Sequence, residues 1–160
     1  MFTKENFEQL DRLRKYYPTT KALTIPVLWM AQEQFGWISP ETMKYVAELL
    51  QLPASHVYGV VTFYTMFNTR PVGKYHLQVC TNVSCQLRGA EGIRDHICTK
   101  LKIHPGETTS DERFTLTEVE CLGSCGTAPA MQVSNGDFYE NLSAEKVDLL
   151  LERWSMESAK

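Results

Sequence analysis

Apolar residues recur at three- and four-residue intervals through the first seventy positions. Phe7, Leu10, Leu13 and Tyr17 form one stripe behind a capping Thr3, and Pro18 ends it, which predicts a first helix. Leu23, Val27, Met30, Ala31 and Phe35 predict a second helix over about residues 21–35, with Pro26 near its first turn or at a kink and Gly36 as a left-handed cap. Ser39, Pro40 and Glu41 are an N-cap, a proline at the first helical position and a dipole-favoured acid; they open a third helix carrying Met43, Val46, Ala47 and Leu50, stopped by Pro53. Residues 56–67 are rich in β-branched and aromatic side chains, which suit a strand, yet Val57, Val60, Val61, Tyr64 and Phe67 also form a helical stripe. We assign that segment as a helix and expect its aromatic residues to lie mostly in the core.

The pattern changes after Arg70, Pro71, Val72 and Gly73, a turn that divides residues 1–70 from residues 71–160. Residues 75–81 read as a strand, 89–101 as a helix, 114–120 as a second strand, and 130–134 and 138–142 as two more. Asn135 and Gly136 between the last two predict a two-residue hairpin turn. Ser143 then caps a final helix carrying Val147, Leu150, Leu151 and Trp154. Strand-helix-strand followed by strand-strand-helix is the order of a thioredoxin-like half, so the fold class expected is α+β: an N-terminal helical bundle and then a thioredoxin-like domain.

Composition narrows the function without choosing it. Hydrophobic residues make up 43% and charged residues 22% of 160, which is ordinary for a folded globular chain. The formal net charge of -3 lacks the basic footprint of a nucleic-acid binder. The charged N-terminus does not read as a secretory signal, and the uncharged stretch 49–69 is interrupted by Gln51, Pro53, Ser55, His56 and Asn68, so no membrane span is expected.

Five cysteines carry the candidate chemistry. Four fall into pairs, Cys80 with Cys85 and Cys121 with Cys125, while Cys98 lies alone on a predicted helix beside Ile93, Ile97 and Leu101 and reads as a small core residue. If the strands ending near Cys80 and Glu120 are parallel neighbours, both Cys loops leave the same edge of the sheet. Thiolates select zinc or iron-sulfur centres, and spacings of four and three intervening residues favour a [2Fe-2S] cluster over structural zinc, which stays open as an alternative. Gly89, Gly123 and Gly126 flank the cysteines and would let backbone N–H groups approach the sulfurs. Neither pair has the C-x-x-C spacing of a dithiol oxidoreductase, and Gly89 to Gly92 lacks a dinucleotide fingerprint. His56, His76, His96 and His104 have no ligand-like spacing and read as surface or satisfied core residues; Pro129 precedes a strand where thioredoxin-like folds often place a cis-proline, although a trans turn proline is the commoner case, and both stay open.

These residues carry a resemblance. Val79 to Cys85, Leu87 to Ala90, Gly106 to Thr109, Val119 to Cys125 and Ala128-Pro129 resemble the E subunits of NADH-quinone oxidoreductase (respiratory complex I), a family of thioredoxin-like [2Fe-2S] ferredoxins. Ile25 to Leu28, Ala31 to Gln34, Gly36-Trp37, Val57 to Val60 and Thr62 to Phe67 are similar to its helical region, so the likeness spans nearly the whole chain. One departure is Ser110 to Arg113, where the family commonly has glycine after the acid. The resemblance implies one [2Fe-2S] cluster held by Cys80, Cys85, Cys121 and Cys125, and a flavoprotein partner that binds FMN and NADH, as a heterodimer within a larger respiratory complex. It implies an oxidoreductase component with no substrate site of its own, on the cytoplasmic or matrix side in the peripheral arm of a membrane complex. The alternatives are the equivalent small subunit of an NAD-linked hydrogenase or formate dehydrogenase, and a zinc-stabilised interaction module.

Overall fold

The computed structural model describes residues 1–157, in which the chain divides into two compact units, Met1–Pro71 and a second beginning at Val72.

The first unit is helical. Helix α1 (Lys4–Leu13) is capped by Thr3, whose Oγ1 accepts from the Asn6 N–H at 3.3 Å. Gln34 ties the chain start down: its Oε1 accepts from Thr3 N–H and Asn6 Nδ2, and its Nε2 donates to the Met1 carbonyl. The predicted second helix is split into a 3-10 turn (Thr20–Leu23) and α2 (Thr24–Phe35), which places Pro26 in the first turn, where no N–H is missed; Gly36 closes α2 at φ 82°. Helix α3 (Pro40–Leu50) starts at Ser39, whose Oγ accepts from Thr42 N–H.

Helix α4 (Ala54–Phe63) is shorter than the helical stripe suggested. The chain turns extended at Tyr64, and a turn bond from Phe67 N–H to the Tyr64 carbonyl swings Phe67 into the core. Buried Gln32 secures this exit, donating to the Met66 carbonyl and accepting from Asn68 N–H. Phe63, expected inside, is 77% exposed. Leu10, Leu23, Val27, Leu28, Val46 and Val57 are among the buried side chains that hold the four helices together.

The second unit is a mixed sheet in the order β2-β1-β3-β4, built of β1 (Tyr75–Cys80), β2 (Phe114–Val119), β3 (Met131–Val133) and β4 (Phe138–Tyr139). β1 and β2 run parallel and the other pairs antiparallel. Helices α5 (Val83–Leu87) and α6 (Ala90–Leu101) cross from β1 towards β2, and α7 (Ala144–Met156) follows β4. Period-2 alternation puts Tyr75, Leu77 and Val79 into a core with Ile97, Val147 and Trp154. Tyr75 stacks between Phe114 and Trp154, with ring centroids 5.6 and 5.2 Å away. Its hydroxyl donates to the Glu157 carboxylate.

The hairpin turn differs from the sequence expectation. Its left-handed residues are Ser134 (φ 50°) and Asn135 (φ 56°), closed by Gly136 N–H on the Val133 carbonyl. The turn is placed by the neighbouring strand: Ser134 N–H donates to His76 O, and the Gln78 amide exchanges two hydrogen bonds with Asn135. Among the described residues no helix is long and apolar enough to cross a membrane.

Candidate functional site

Parallel register pairs Cys80 with Val119, so β1 and β2 end side by side, and Thr81 N–H donates to Val119 O beyond the last pair. Cys80 is the last residue of β1 and Cys121 lies two residues past β2. Asn82 caps the one-turn helix α5, accepting from Val83 N–H at 2.7 Å, and α5 carries Cys85. Cys125 opens a 3-10 turn, Cys125–Thr127. The topology therefore delivers all four paired cysteines to the C-terminal end of the two parallel strands.

Burial divides the thiols into two pairs. Cys80 and Cys85 are buried with Ala90, Ala128 and Ala130 in a small cluster of their own, with Val119 and Leu122 partly buried against it. Cys121 and Cys125 are exposed. Burial pushes the Cys85 thiol up, a hydrogen bond with Cys80 adds to the rise, and a backbone hydrogen bond at Ala130 opposes it; the charges of Cys80 and Cys125 reach it as well. Cys80, Cys85 and Cys125 thus share one local field. Cys121 instead accepts a hydrogen bond from the Gly123 N–H at 3.3 Å, with Gly123 at φ 76°, a conformation that suits glycine.

Of the three glycines expected to aim amides at sulfur, Gly123 does so. Gly89 (φ 88°) is a turn residue instead, donating to Gln86 O and capping the start of α6. Cys98 is half-buried on α6 against the sheet core, apart from the other four, and burial raises its thiol first, with Asp95 adding to it. The Ala128–Pro129 bond, which the sequence left open between cis and trans, is cis.

Histidines take no part in the thiol cluster. His56 faces the Thr24 hydroxyl, and His96 bridges α6 to Asp148 of α7 at 2.7 Å. His76 is not a satisfied core residue. Its Nε2 meets Thr117 Oγ1 at 2.9 Å, but its Nδ1 is buried with no partner among the described residues. Burial lowers its pKa to about 4.

The donor set fits a two-iron centre. A [2Fe-2S] cluster takes its thiolates two to an iron, and the four cysteines come as two pairs, one buried and one exposed. Soft sulfur donors, methyl-sized neighbours and an N–H aimed at sulfur are the surroundings such a centre uses. Helix α5 escaped the sequence reading because five residues are too few for a 3.6-residue period to show, although Asn82 is a capping residue. It leaves Val83 and Leu87 62% and 82% exposed beside the buried Cys85.

Comparison with known proteins agrees with this geometry. A family model described as thioredoxin-like [2Fe-2S] ferredoxin matches residues 10–155. The NADH-quinone oxidoreductase E subunit of Rickettsia prowazekii (strain Madrid E) is 44% identical over 156 residues, covering 96% of this chain and 88% of its own. The NADH-quinone oxidoreductase E subunit numbered 2 of Rhizobium meliloti (strain 1021) is 43% identical over 145 residues, covering 91% and 86%. In fold the chain is similar to a solved NAD+-reducing [NiFe]-hydrogenase in the air-oxidized state, with a TM-score of 0.73 at 24% identity over 83% of this chain, although it spans only 23% of that hydrogenase chain. Four cysteines at the end of two parallel strands, in a chain matched from residue 10 to residue 155, have one reading: this chain belongs to the thioredoxin-like [2Fe-2S] ferredoxin family.

Proposed function

We propose that the chain is the electron-transfer E subunit of an NADH-quinone oxidoreductase, holding one [2Fe-2S] cluster through Cys80, Cys85, Cys121 and Cys125. The observation that supports it most is the in-register parallel pairing of β1 and β2, which brings both Cys loops to one sheet edge. When bound, the cluster supplies a one-electron couple whose potential depends on charge, hydrogen bonds to sulfur and solvent access. Cys80 and Cys85 anchor its buried side, while Cys121 and Cys125 face solvent. The Gly123 N–H stabilises negative charge on the Cys121 sulfur.

The partner in this reading is an FMN- and NADH-binding flavoprotein within a multi-subunit respiratory complex, on its cytoplasmic or matrix side. Residues 77–90 carry Arg88 alone as a formal charge, and residues 119–133 carry Glu120 alone. With Val83 and Leu87 exposed, the thiol end is a surface that another protein can cover at little desolvation cost. On the first unit, Tyr58 and Phe63 of α4 are exposed aromatic side chains of the kind enriched in interface cores.

Purified natively, the chain is expected to bring down a flavoprotein, to carry about two irons, and to show a paramagnetic signal only after one-electron reduction. Cys121→Ala loses the chromophore and Cys98→Ala keeps it. Stoichiometric zinc without a reducible chromophore, or loss of the cluster from the Cys98 variant alone, would overturn the assignment.

A further inference from the structure

The turn that carries Cys125 is held from outside by a short strap that follows β4. Asn141 N–H donates to the Thr127 carbonyl at 2.7 Å, and Leu142 N–H to the Pro129 carbonyl at 3.1 Å, so residues 140–142 lie along residues 127–129. The strap is fixed in turn by Lys146, whose ammonium donates to the Asn141 carbonyl at 2.9 Å and reaches the Glu140 carbonyl at 3.5 Å. Across this seam the Thr127 hydroxyl stands 2.5 Å from Glu140 Oε1 and 3.3 Å from the Ser124 carbonyl. It has one proton to give, and the shorter contact to a charged acceptor takes it. Glu140 is thereby tied to the residue two positions after Cys125. The Thr127 bond favours the ionised carboxylate, which places a negative charge beside the turn that carries Cys125.

The geometry points to Glu140 as a positioning residue for the cluster: through Thr127 it sets the 3-10 turn that presents Cys125, and its charge lowers the reduction potential of the centre. This inference rests on the ligand assignment proposed above. Two effects are separable by substitution. Glu140→Gln keeps an acceptor oxygen for Thr127 and removes the charge. Glu140→Ala removes both, and Thr127→Val removes the donor while leaving the charge.

The test uses the full chain with its cluster. Iron release to a chelator and the midpoint potential are measured for the parent, the three single variants and the Glu140→Ala/Thr127→Val double variant. Outer-shell partners of metal ligands typically contribute about 10- to 100-fold in retention. Release is therefore expected to accelerate about tenfold or more in Glu140→Ala and in Thr127→Val, and to remain near the parent rate in Glu140→Gln. Because the two side chains act through one bond, the double variant is expected to release iron no faster than the worse single variant. The midpoint potential rises in Glu140→Gln. A cluster-bearing parent whose variants keep its release rate and potential overturns the role of Glu140 alone, as does a double variant whose effect is the product of the singles. An iron-free parent overturns the ligand assignment and this inference with it.

Discussion

Glu112 occupies a backbone conformation that β-carbons resist, with φ 55° in the turn where Thr109 O accepts its N–H at 2.8 Å. A left-handed residue with a β-carbon costs about 1 to 2 kcal/mol, and the extra freedom of glycine in the unfolded chain returns about 0.4 to 1 kcal/mol of that. Glu112→Gly is therefore expected to stabilise the second unit by about 0.5 to 1 kcal/mol, read as a higher denaturant midpoint at unchanged slope. Gly73 shows the opposite constraint. A β-carbon there would lie 2.8 Å from the Arg113 carbonyl carbon and 2.9 Å from the Glu112 oxygen, so the turn at residue 112 and the entry to β1 are fitted to each other.

At the scale of elements, α7 is fastened by its C-terminus. Arg113 Nη1 lies 2.8, 3.0 and 2.7 Å from the carbonyls of Trp154, Ser155 and Glu157 and shares its two N–H groups among these acceptors, which the helix end leaves without an intrahelical donor. A cation at this position also opposes the negative end of the helix dipole. Arg113→Ala is expected to cost about 2 kcal/mol, the scale of hydrogen bonds to a charged donor in a partly buried place. Hydrogen exchange of the last-turn amides of α7 should quicken together with that loss. Arg113→Lys should recover the smaller part of it, since an ammonium lacks the planar fork. Unchanged exchange in the alanine variant would show that the Tyr75-Trp154 stack alone holds the helix end.

For the molecule as a whole, His76 ties stability to pH. Its imidazole is neutral in the fold because burial lowers its pKa to about 4, against an ordinary value near 6.5. The unfolded chain therefore binds a proton that the folded chain refuses. The stabilising contribution is complete above about pH 6.5, declines as pH falls through the interval to about 4, and is gone below it; its full size is on the order of 3 kcal/mol. Denaturant midpoints of the second unit should fall between about pH 6.5 and 4.5, and His76→Leu should flatten that slope. An equal slope in the variant would assign the acid sensitivity to carboxylates instead.

Local signals in the sequence determined the caps of α1, α2, α3 and α7 and the pairing of the cysteines. Thr3, Ser39 and Ser143 each accept the amide hydrogen bond expected of a capping residue, and Gly36 takes the left-handed cap, because capping is decided within four residues. The paired cysteines were legible because sulfur ligands at fixed spacing have few other uses, and the parallel β1-β2 pairing followed from the strand-helix-strand order. What the tertiary structure decided lies in contacts between distant positions. Aromatic character alone makes Phe63 and Phe67 equally fit for a core, and the hydrogen bonds of Gln32 to residues 66 and 68 accompany the turn that buries Phe67. The hairpin signal at Asn135-Gly136 is real, yet His76 and Gln78 on the neighbouring strand hold Ser134 and Asn135 in the left-handed positions instead. Glu140 has no meaning for the thiol loops until the strap after β4 lies beside residue 127, because a side chain thirteen positions away acquires a partner only when the fold closes the distance.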